Sequence, residues 1–125
     1  MEYIRLFADE AGESHFDDVQ IEFADSEYTS SAPPLGLSSM LAATHLGFMN
    51  APAGWESDWH SSSGRNFFVV IHGEWEVTAS DGERRRFGSQ SLLLVEDTTG
   101  KGHKSRVISD SMAAMIELQT QADRR

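Results

Sequence analysis

The stretch from Phe67 to Val95 leaves little choice of fold, because strand-forming runs follow one another with only turn residues between them. Phe67-Phe68-Val69-Val70-Ile71 is a continuous β-prone run, as expected of a strand covered on both sides. After His72-Gly73 comes Glu74-Trp75-Glu76-Val77-Thr78, and then Asp81-Gly82, a strong hairpin signal between strands. Leu92-Leu93-Leu94-Val95 is another buried strand, entered from Gly88-Ser89-Gln90-Ser91. Upstream, Val19-Gln20-Ile21-Glu22-Phe23 alternates with period two. Downstream, Ser105-Arg106-Val107-Ile108 and Met115-Ile116-Glu117-Leu118 supply two more strands. Short strands at close spacing predict a β-sandwich or barrel. Phe68 or Val70 should face its interior, with Phe67 and Val69 on the opposite face.

Helix is scarce. Ser38 to Ala43 could form one serine-capped turn, and nothing longer is convincing. Residues 25–37, with Ser30-Ser31-Ala32-Pro33-Pro34 at the centre, interrupt the strand series as a loop or arm. A chain of 125 residues predicts a single domain. Its expected division is an N-terminal arm over about residues 1–40 and a barrel over about 40–118, with a frayed tail from residue 121.

Charge and composition narrow the partners. A net charge of −10 repels phosphate backbones and anionic lipid heads, so neither nucleic acid nor membrane is expected as a partner. Arg84-Arg85-Arg86 follows Asp81 and Glu83 and reads as the solvent side of a strand. No apolar run is long enough to span a membrane, and the first residues lack the features of a secretory signal. Without cysteine there is no disulfide and no thiolate chemistry, which fits a cytoplasmic protein. Any metal would need nitrogen and oxygen ligands. No serine lies in a nucleophile elbow, and Gly100-Lys101-Gly102 lacks the spacing of a phosphate loop.

The remaining chemistry gathers around Asp58, His60 and Asn66. On an extended strand Asp58 and His60 would share one face. A carboxylate beside an imidazole can act as a proton-transfer pair, as a ligand, or as an acceptor that orients the ring. Glu96 and Asp97 precede the loop to His103. One of them could act as a general acid or base, although Asp97 bonding the amides of Thr99 or Gly100 is the preferred reading. His45, Phe48, Met49, Trp55, Trp59 and Phe68 are candidates for lining a pocket, with Trp59 facing outward if Asp58 and His60 face in. His15 and His72 read as surface residues.

The order of these features resembles the cupin superfamily, in particular the small single-domain cupins of RmlC-like type, over about residues 40–118. The run from Gly54 through Asp58, His60 and Asn66 to Gly73 is similar to the first cupin motif, with Asp58 in place of a histidine and Asn66 in place of a glutamate. Phe87-Gly88 through Val95, followed by His103, is similar to the second. The resemblance implies an all-β fold, the cupin double-stranded β-helix or jelly-roll barrel, with a pocket at its open end and often a homodimer. It implies metal ligation by His60, His103, Asp58 and Asn66, for Fe, Mn, Ni, Zn or Cu, or a pocket with no metal. His60, His103 and Asp58 would be the catalytic groups of an isomerase, lyase or decarboxylase acting on a small organic acid or carbonyl compound. The alternatives are a non-catalytic ligand-binding or sensor barrel, and a relative of nucleotide-sugar epimerases that would rely on Arg65, Lys101 and Lys104 to hold a diphosphate.

Overall fold

The computed structural model describes residues 1–120; the tail expected from residue 121 lies outside them. Among the described residues the regular structure is strand throughout. The elements are β1 (Glu2–Ala8), β2 (Ser14–Gln20), β3 (Ala24–Ser26), β4 (Leu35–Leu37), β5 (Ala43–Ala51), β6 (Asn66–Ala79), β7 (Arg84–Phe87), β8 (Leu92–Val95) and β9 (His103–Leu118). The main sheet runs β2-β1-β8-β6-β9-β5, with β7 paired to β6, while β3 and β4 form a separate ribbon. Among the described residues no helix is long and apolar enough to cross a membrane.

Two strands are longer than the sequence runs suggested. Phe67–Ile71 and Glu74–Thr78 belong to one strand, β6, and His72-Gly73 is an irregularity within it rather than a turn. Gly73 has φ +86°, and a Cβ there would overlap the Ser111 side chain and the Asp110 carbonyl. The register against β9 shifts between Val70 and Trp75. This changes the parity of the strand. Asn66, Phe68 and Val70 point inward before the irregularity; Trp75, Val77 and Ala79 point inward after it, and all three of these are buried. Likewise Ser105–Ile108 and Met115–Leu118 are two ends of β9, which pairs with β6 and β5.

The first twenty residues, expected as part of an arm, are built into the sheet. β1 pairs antiparallel with β2 and parallel with β8. Leu6 is fully buried in a core that includes Phe16, Val70, Trp75, Val77, Phe87, Leu93 and Val107. Val19 and Gln20 end β2, so the expected strand to Phe23 stops early. The expected helical turn at Ser38–Ala43 does not form: Ser38–Ala42 are irregular and Met40 is exposed. One turn fixes several dihedrals for a single hydrogen bond, and this segment has no apolar partner to offset that cost. Phe67 packs on the opposite side from Phe68, edge-on to Tyr3 at 5.0 Å between ring centroids.

Candidate functional site

Inward-facing residues of four strands enclose a cavity of about 360 Å³. Its apolar walls come from Met49 of β5, Phe68, Trp75 and Val77 of β6, Leu93 and Val95 of β8, and Met115 of β9, with Trp55 from the loop before β6. The aromatic rings brace one another: Phe68 meets Trp75 edge-on at 5.1 Å, and Trp55 meets Trp75 at 6.0 Å. The polar side is formed by His60, Ser61, Ser62, Ser63, Asn66, His103 and Ser105. A mostly apolar cavity with convergent polar groups at one side is the usual form of a small-molecule site.

His60 arrives by a route that the period-two argument did not anticipate. Residues 52–65 run alongside β9 as a broken strand. Gly54 N–H donates to Val107 O at 2.8 Å, Ser57 N–H to Ser105 O at 2.9 Å, and His60 N–H to His103 O at 3.0 Å. Only Glu56 and His60 make ladder bridges, so the segment lacks the regular pleat that would put Asp58 and His60 on one face. Asp58 Oδ1 accepts instead from the Trp59 amide at 2.9 Å, and the Asp58 side chain is not part of the cavity wall. Its backbone matters more. The Asp58 carbonyl accepts from His60 Nδ1–H at 2.8 Å. Gly102, at φ +74°, lets the His60 carbonyl approach the start of β9, where a Cβ would overlap it.

His103 is buried at the first position of β9, and its Nδ1 lies 2.6 Å from Asp97 Oδ2. Asp97 is fully buried; its Oδ1 has no hydrogen-bond partner among the described residues. Asp97 therefore does not bond the amides of Thr99 or Gly100, as the sequence reading preferred. It stands behind His103. Its neighbour Glu96 is held away from the cavity by Arg5 and by Arg65, the latter at 2.9 Å. The rings of His60 and His103 lie 4.5 Å apart, tilted by 55°.

Of the expected site residues, His60, His103 and Asn66 come together and Asp58 does not. Asn66 Nδ2–H donates to the Gly64 carbonyl at 3.0 Å, which holds its amide beside the cavity. Met49, Trp55 and Phe68 line the wall as expected; Phe48 and His45 are exposed on β5, and Trp59 lies outside, with the Lys104 ammonium 5.5 Å from its ring. Asp97 and the Ser61-Ser62-Ser63 run are the site features that sequence reasoning undervalued. Asp97 offered one signal, a carboxylate six residues before a motif histidine.

The donor set does not fit a resident metal. Among the described residues no group of three or more His, Asp or Glu side chains converges on one point. The two imidazoles contribute neutral nitrogens and Asn66 a neutral amide, while the Asp97 carboxylate is engaged on His103 Nδ1 and does not line the cavity as a ligand. Nor does the wall fit a diphosphate. Lys101 is paired with Glu13 at 2.7 Å, Arg65 with Glu96, and Lys104 sits over Trp59.

No protein-family model and no curated protein matches the chain. Solved structures do match its fold. The cupin domain of Schizosaccharomyces pombe Cnp3 aligns with a TM-score of 0.51 at 16% identity, covering 99% of this chain and 92% of that one. A conserved protein of unknown function from Streptococcus pyogenes aligns with a TM-score of 0.50 at 20% identity, covering 62% and 68% of the two chains.

Proposed function

Starting from a chain that folds as a small all-β cupin jelly-roll domain, we propose that it binds a small organic molecule in the cavity and that His103 serves there as a general base. The observation that carries this reading is the buried Asp97–His103 pair opening onto an apolar chamber. Asp97 holds the His103 proton on Nδ1, which leaves the Nε2 lone pair for the cavity. A carbonyl ligand seated there would lose an α-proton to Nε2, with the C–H electron pair moving into the enolate. The resulting imidazolium would lie against Asp97. Where the α-carbon carries a hydroxyl, passing that hydroxyl's proton to the former carbonyl oxygen and returning the Nε2 proton to the former carbonyl carbon completes the isomerisation of an α-hydroxy carbonyl. The Ser105 hydroxyl can donate to a ligand oxygen, and His60 Nε2 can accept from a ligand hydroxyl. A cytoplasmic location suits a chain without cysteine.

Deuterium exchange tests this reading. Small carbonyl compounds incubated with the protein in D2O should gain deuterium at the α-carbon faster than with the His103→Gln variant, read by proton NMR. Ligands that bind without any accelerated exchange would favour the non-catalytic binding barrel.

A further inference from the structure

Both imidazoles of the cavity have already used the proton that a neutral ring can place on Nδ1. The Asp58 carbonyl can only accept, so His60 Nδ1 must be the donor in their 2.8 Å hydrogen bond. The Asp97 carboxylate takes the Nδ1 proton of His103 in the same way. A neutral imidazole carries one N–H, so each Nε2 is a bare acceptor. Neither Nε2 has a hydrogen-bond partner among the described residues.

The wall offers no cation to an anion. Its lining residues include no lysine and no arginine. Asn66 has committed one amide hydrogen to Gly64. A carboxylate placed here would be desolvated against two lone pairs and aromatic rings, which is costly without a cationic partner. The opposite wall, Trp55, Phe68 and Trp75 with Met49 and Met115, presents flat and polarizable surfaces that suit a ring.

Resting on the reading of the cavity as a ligand site, we propose that its ligand is an uncharged, hydroxylated ring compound that donates one hydrogen bond to Nε2 of His60 and another to Nε2 of His103. Ring centroids 4.5 Å apart bring both imidazoles within reach of one small ligand, and the 1,2- and 1,3-diols sample two donor spacings. This replaces the organic acid expected from the sequence with a neutral diol or its nitrogen equivalent.

The probes are 1,2- and 1,3-dihydroxybenzene, their dimethyl ethers, and benzoate, titrated at pH 7.5. Binding is followed by tryptophan fluorescence and by 15N NMR of the imidazoles. One of the diols should bind at least about tenfold more tightly than its ether and than benzoate, the effect expected of two hydrogen bonds of ordinary net strength. It should shift both Nε2 resonances. His60→Ala, at an exposed position, should weaken the diol several-fold and leave the ether unchanged. An ether or benzoate binding as tightly as the diols would overturn the donor rule while leaving the ligand site intact. If no probe binds and neither signal moves, the ligand-site reading fails, and this inference with it.

Discussion

His60 and His103 are tied to each other through their backbones: the amide of each donates to the carbonyl of the other, at 3.0 and 2.9 Å, and this brings their rings to 4.5 Å. A loop residue is thus held as firmly as a strand residue. Side chains from distant parts of the sequence become one unit because Gly102 leaves room for the contact.

Gly102 at that approach, and Gly73 against Ser111 and Asp110, leave no room for a side chain. Gly73→Ala and Gly102→Ala each put a Cβ into backbone or side-chain atoms at positive φ. Left-handed strain alone costs about 1–3 kcal/mol, and the overlap adds to it. Both variants should melt well below the parent in thermal unfolding. Gly88→Ala, where a Cβ meets nothing within 4 Å, should stay within about 0.5 kcal/mol of it.

Asp97 should control the protonation of His103 rather than the fold as a whole. Asp97→Asn keeps the shape but can offer an N–H to Nδ1, which moves the ring proton to Nε2. Imidazole 15N shifts should report that tautomer, and any proton-transfer activity should fall sharply. Asp97→Ala, which leaves the buried Nδ1–H without an acceptor, should cost about 1–3 kcal/mol in denaturant unfolding. An unchanged His103 spectrum in Asp97→Asn would show that the pair does not set the tautomer.

A surface cluster gives the pH dependence. His15 lies 2.7 Å from Asp9 and 2.9 Å from Asp81. Hydrogen bonds to Asp9, and then to Asp81, hold its imidazole above the ordinary value of 6.5. The bond to His15 in turn holds Asp9 below its ordinary 3.8. The His15 contribution is therefore complete below about pH 6.5 and is lost as pH rises through the raised value. The Asp9 contribution is complete above about pH 3.8 and is lost as pH falls through the lowered one. The melting temperature of His15→Gln should lie furthest below the parent between pH 4 and 6.5 and converge with it by pH 9. Salt should shrink the gap. A gap independent of pH would mean that His15 acts through packing alone.

Metal binding should be weak and imidazole-dependent. After chelator treatment, titration with Zn or Ni should give a labile complex that His60→Ala or His103→Ala abolishes with little change in melting temperature. Asn66→Glu adds the missing negative charge and should tighten the complex by about tenfold or more. Calorimetry with a competing chelator checks this, and a parent protein that retains its ion against the chelator would contradict the assignment.

Assembly should involve β5. It is the end strand of the main sheet and carries exposed Leu46 and Phe48, next to exposed Met112 of β9. An unpaired edge bearing apolar side chains favours a symmetric pairing of two copies. Light scattering should give a dimer mass, and Phe48→Asp should give a monomer. A parent protein that remains monomeric would sink this expectation.

The sequence by itself determined the fold class and the interior of the sheet. The strands holding Val70 and Leu93 were legible as buried because their apolar runs are continuous, which is a local property. The separation of Phe67 from Phe68 followed from the two-residue period of a strand, whereas the place of His103 followed from the resemblance to the second cupin motif. Tertiary structure decided the rest. Whether Phe68 and Trp75, on positions of opposite parity, face one cavity depends on the irregularity at Gly73, whose need for glycine comes from Ser111 and Asp110 across the sheet. Asp58 lost its expected place because residues 52–65 hydrogen-bond to β9 without forming a continuous pleat. Asp97 gained its place because burial leaves His103 Nδ1 as its one side-chain partner. Periodicity tells which side chains leave water; it carries no information about which polar groups meet once the chain has closed on itself, and those meetings set the chemistry of the cavity.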